Sequence, residues 1–112
     1  MRVFYHGCAH LPDVPAESPV ERNEQEVLVL LNKLRGNGSF LGLELDDCFV
    51  LQFMYEQGAI HAEVLNRKSR SLEFCTLSVP LAEDSIRAAS RGRPIKTVTE
   101  GARIEWRHER LA

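Results

Sequence analysis

The sequence predicts an α+β domain: an antiparallel meander of about four to six strands, one long N-terminal helix packed on it, and a second short helix before the C-terminal strands. Three observations lead there. Residues 41–76 alternate apolar and polar side chains in four short runs separated by turn residues, the period of half-buried strands. Val27, Leu30, Leu31 and Leu34 recur at i, i+3, i+4 and i+7, which places one apolar stripe on a helix. The strands' apolar side needs a cover, and that stripe supplies one.

At 112 residues the chain is one domain, 1–112, long enough to bury a real core. Hydrophobic residues are 44% and charged residues 27%, too apolar a mixture for a disordered chain. The formal net charge of −2 argues against a nucleic-acid or anionic-membrane binder, which would carry a basic excess. No apolar run approaches a membrane span, and Met1 to His10 lacks the apolar core of a signal peptide. Cys8, Cys48 and Cys75 are odd in number and widely spaced, so no disulfide framework is implied, and the expected setting is the reducing cytoplasm.

Arg2 to His6 reads as a strand through Val3, Phe4 and Tyr5. Pro12, Pro15 and Pro19 make the next stretch an extended connector. Ser18 and Glu21 have capping-box spacing with Pro19 between them, so the first helix is expected over Pro19 to Arg35, stopped by Gly36. Leu41, Leu43 and Leu45 mark the next strand; Phe49, Leu51, Phe53 and Tyr55 the one after, beyond a turn at Asp46-Asp47. Gln57-Gly58 turns the chain into a strand carrying Ile60, Ala62 and Val64. After the polar loop 66–71, Leu72, Phe74 and Thr76 are expected on the apolar side of a fourth strand. Leu43, Leu51, Phe53, Val64 and Phe74 should then be buried with Leu30, Leu31 and Leu34. Pro80 opens the second helix and Gly92 closes it. Ile95–Thr99 and Arg103–Glu109 read as strands around a turn at Glu100-Gly101.

Few residues suggest chemistry. His6, Cys8 and His10 alternate and would face one side of an extended segment, as metal ligands or as an activated thiol with an imidazole beside it. However, same-side neighbours on a strand stand nearly 7 Å apart, wide for chelation by short side chains, and nothing selects a further ligand. His61 and Glu63 share a strand face, expected to include Glu44 and Glu73, where an imidazole and carboxylates could do acid–base work. No phosphate loop follows Gly36-Asn37-Gly38, and no metal or other cofactor is expected.

Charge is uneven. Residues 1–66 hold ten acidic groups against four basic ones, whereas residues 67–112 hold ten basic against six acidic. Glu44, Asp46 and Asp47 gather three carboxylates at one turn.

The order of elements carries a likeness. A short strand, a capped helix and a meander are followed by a helix entered through Val79-Pro80-Leu81, then Gly92-Arg93-Pro94 and a late segment with Ile104-Glu105-Trp106. This resembles the small α+β immunity proteins of bacterial polymorphic-toxin systems, in element order over residues 40–107 and in residues from Val79 to Trp106. The resemblance implies a cytoplasmic, non-enzymatic inhibitor that binds one cognate protein toxin and contacts neither membrane nor nucleic acid directly. Many such toxins are basic, so the expected contact surface is acidic: Glu24, Glu44, Asp46 and Asp47, with Met54 and Tyr55 as apolar anchors. The alternative is a small enzyme or a ligand- or metal-binding domain using His6, Cys8 and His10, or the His61/Glu63 face.

Overall fold

Val3, Phe4 and Tyr5 form the first strand, β1 (Arg2–His6), and its neighbours show where the sequence and the fold part company. In a computed structural model describing residues 1–111, Val20–Glu21 is not the start of a helix but a two-residue strand, β2, with Val20 paired to Val3 and Glu21 to Arg2. The chain then enters α1 (Glu24–Asn32), nine residues long rather than seventeen. Its cap is Asn23, whose Oδ1 accepts from the Glu26 N–H at 2.8 Å while Glu26 Oε1 accepts from the Asn23 N–H at 3.0 Å. Two capping-box patterns therefore follow one another in the sequence, Ser18/Glu21 and Asn23/Glu26. The second prevails because the stretch before it pairs with β1.

The meander follows as expected, with β3 (Phe40–Glu44), β4 (Phe49–Glu56), β5 (Ala59–Asn66) and β6 (Ser71–Leu77). Gln57 and Gly58, both at positive φ, make the tight turn between β4 and β5. Then come α2 (Val79–Ser90), capped by Ser78 with Pro80 in its first turn, and α3 (Ile95–Gly101). Here the expected strand over Ile95–Thr99 is corrected to a helix. Pro94 stands at its N-cap position without a side-chain cap, and Ile95 and Thr99, one turn apart, are both buried. The last strand, β7, is confined to Arg107–Arg110.

All strands join one antiparallel sheet in the order β2-β1-β3-β4-β5-β6-β7. One face packs against the helices: Val3, Tyr5, Leu41, Leu43, Leu51, Phe53, Ile60 and Ala62 form one core with Val27, Leu30, Leu31, Ala82 and Ile86. The phase of β6 is the reverse of the expected one. Ala62 stands opposite Cys75 and Ile60 opposite Leu77, so Cys75 and Leu77 enter the core, while Phe74 lies half-buried on the outer face opposite Glu63. The left-handed Arg70 ends the four-residue loop and, with Asn66 paired to Ser71, fixes that register.

Because spatial order nearly follows chain order, the acidic residues 1–66 occupy the β2-to-β5 side and the basic remainder the β6-β7 side. Both edges resist further pairing, β2 by its brevity and β7 by its Arg-His-Glu-Arg sequence. No helix among the described residues is long and apolar enough to cross a membrane.

Candidate partner-binding cleft

The turn between β3 and β4 is built by Asp46. Its Oδ1 accepts from the Cys48 N–H at 2.7 Å and the Phe49 N–H at 2.8 Å, and the Leu45 N–H donates to the Phe49 carbonyl at 3.0 Å. A short polar side chain that bonds the backbone two and three residues ahead is the reason Asp favours such turns. Phe49 shares the strand phase of the buried Leu51 and Phe53, yet it is 37% exposed because it stands past the end of the helical cover.

The opposite wall comes from the C-terminal segment. Gly92, at φ +67°, lets α2 end sharply, and Pro94 directs the chain into α3. Thr99 is fully buried; its hydroxyl donates to the Lys96 carbonyl at 3.1 Å and accepts from Trp106 Nε1 at 2.8 Å. That bond seats the indole beside α3. Lys96 reaches across to pair with Glu73 of β6, which tethers α3 to the sheet.

Between these walls lies a cleft of about 590 Å³, lined by Leu45, Phe49, Val64, Ile95 and Trp106, with Asp46 at its hairpin end and Arg93 and Lys96 on the α3 side. A concave, mostly apolar site with a few polar groups is the usual form of a pocket that takes a small group or side chain. Trp106 is of a residue type that dominates binding energy at protein interfaces, and Phe49 of one enriched there.

The six surface residues singled out in the sequence are not gathered together. Asp46 lines the cleft, and Asp47 beside it is exposed without an ion-pair partner among the described residues. Glu44 lies on the outer face and pairs with Arg2 at 3.6 Å. Glu24 accepts from the Ser90 hydroxyl and pairs with Arg91 at 3.5 Å, so it ties α1 to α2. Met54 stands opposite Phe40, roughly 17 Å along β4 from Phe49. Tyr55 is on the helix face, packed against the core.

His6, Cys8 and His10 diverge. His6 Nδ1 meets Asp13 Oδ2 at 2.5 Å at the sheet edge, and His10 is exposed in a left-handed turn. Cys8 is buried, with its thiol 3.7 Å from the Leu30 carbonyl; burial foremost, with the charge of Asp13, pushes that thiol up to about 11. Among the described residues no group of three or more His, Cys, Asp or Glu is arranged to hold a metal. His61 Nε2 and Glu63 Oε1 are 3.1 Å apart on the outer face. Of the carboxylates expected beside them, Glu73 belongs to the other face and Glu44 is held by Arg2.

Sequence reasoning missed Thr99 and the α3 side of the cleft. The signal was present in Ile95 and Thr99 at i, i+4 after a proline, but the strand preference of Ile95, Thr97, Val98 and Thr99 masked it. Compared with protein families, curated proteins and solved structures, the chain matches none.

Proposed function

We propose that this chain is a protein-binding inhibitor of the immunity type, acting in the bacterial cytoplasm without catalysis and neutralising a basic cognate toxin by direct contact. The observation that carries this reading is that Asp46, from the acidic half, lines the same cleft as Phe49 and Trp106. Apolar walls would receive a side chain of the toxin and set the dissociation rate, while Asp46 and Asp47 would attract a cationic surface and speed encounter.

The test is a kinetic binding measurement against the protein encoded beside this one. Asp46→Asn keeps the oxygen that closes the turn and removes the charge, and Asp47→Lys reverses a charge that supports nothing else. The double variant should associate severalfold more slowly at low salt, with the difference shrinking as salt screens beyond about 10 Å near 0.1 M. Phe49→Ala should instead raise the dissociation rate. Unchanged rates in both variants, or no binding to the neighbour's product, would overturn the reading.

A further inference from the structure

A second concavity opens on the outer face beside β6, across the 103–107 segment from the cleft that Trp106 lines. It encloses about 660 Å³ and is lined by His61 of β5, Phe74 and Thr76 of β6, Arg103 and Glu105 of the segment leading into β7, and Arg107 at the start of β7. The strand pairing explains its shape. β7 covers β6 only from Ser71 to Phe74, so the chain between α3 and β7 passes beside the uncovered end at Thr76.

Its chemistry is that of an anion site with an aromatic wall. Neither guanidinium has a carboxylate partner among the described residues, whereas Arg2, Arg22, Arg87 and Arg91 each do. Two guanidiniums line the groove with the carboxylate of Glu105, while the carboxylate of Glu63 beside it is engaged by His61 and leaves both guanidinium forks open. His61 is oriented by Glu63 at 3.1 Å, and its ring stands 5.7 Å from that of Phe74 at 40°. Guanidinium forks match phosphate oxygens in pairs, Thr76 adds a hydroxyl, and aromatic rings offer a surface to a planar base.

We infer that the groove formed by Arg103, Arg107, His61, Phe74 and Thr76 binds a mononucleotide, its phosphate held by the two arginines and its base laid against the His61–Phe74 rings. The groove and the candidate partner-binding cleft lie on either side of the 103–107 segment, and this inference does not rest on the function proposed for the cleft.

The experiment is an amide-resolved NMR titration of the full chain at low salt with AMP, inorganic phosphate and adenosine. AMP should shift the amides of Phe74, Thr76 and 103–107 and bind at least severalfold more tightly than the other two. Arg103→Gln with Arg107→Gln should weaken AMP by about tenfold, the loss expected when charge-assisted hydrogen bonds become neutral ones. The core amides of this variant report that it remains folded, since β7 pairs through its backbone. Absence of shifts up to about 10 mM AMP, weaker than a specific small-ligand site, would overturn the inference. So would undiminished binding by the double variant, or adenosine binding as tightly as AMP. Phosphate binding as tightly as AMP would overturn the role given to the rings.

Discussion

The ring of Phe4 occupies the space where a β-carbon on Gly42 would stand. The two residues are register partners across β1 and β3, and a methyl group built on Gly42 would lie 2.1 Å from Phe4 Cζ. Phe4 is nearly fully buried on a face that no helix covers, because the bare glycine backbone lets the ring lie flat against the sheet, with Phe40 edge-on 6.3 Å away. Gly42→Ala must therefore push the ring into water. The expected destabilisation is about 1–3 kcal/mol in urea unfolding. In Phe4→Ala, the same glycine substitution should cost much less. Additive losses would contradict the contact.

Leu31 and Phe53 face each other's layers in the core, at 3% and 0% exposure. Truncating either to Ala should cost about 2–5 kcal/mol through lost transfer energy and the cavity left behind. A urea midpoint equal to that of the parent chain would refute this packing.

The chain's legibility follows from what determines each element. The β3–β5 meander was plain because alternation and tight turns are local and every strand there is buried on one side. The phase of β6 was not plain, since Leu72-Glu73-Phe74 favours one face by composition while the 67–70 loop and the space beneath α2, filled by Cys75 and Leu77, impose the other. In 95–99, Ile95, Thr97, Val98 and Thr99 locally favour a strand; packing of Ile95 and the Trp106–Thr99 bond override that preference. Of the candidate site, the acidic turn was visible in Asp46-Asp47. The wall opposite it was not, because it depends on where α3 docks.

Thiol reactivity should separate the three cysteines. Burial pushes both Cys8 and Cys75 up to about 11, whereas Cys48 sits half-exposed in the β3–β4 turn. At pH 8 a disulfide reagent should modify one thiol per chain quickly, and mass mapping should find it at Cys48. The other two should react only on unfolding. Rapid loss of two or three thiols from the folded protein would contradict the burial described.

Asp13 should contribute to acid sensitivity. The His6 hydrogen bond foremost, then the Gly7 N–H at 3.2 Å, hold its carboxyl below the usual range. A depressed carboxyl stabilises the fold above its unfolded value, and that contribution disappears as pH falls through the carboxylate range and below. The stability gap between the parent chain and Asp13→Asn should thus be present at neutral pH and narrow on acidification. A gap that widens toward pH 3 in melting experiments would be the wrong sign.

The order of strands also bears on how the chain reaches this fold. From β3 to β6 each strand pairs with its successor across a short loop, so those contacts close cheaply in entropy. The flanking pairings are of another kind: β1 must find β3 across 33 residues between His6 and Phe40, and β7 must find β6 across 29 between Leu77 and Arg107. Closing such loops before the meander exists would cost ordering entropy with no sheet edge to dock on. Nucleation therefore belongs to the β4–β5 hairpin, and substitutions there should slow folding, whereas those in β1 or β7 should chiefly hasten unfolding.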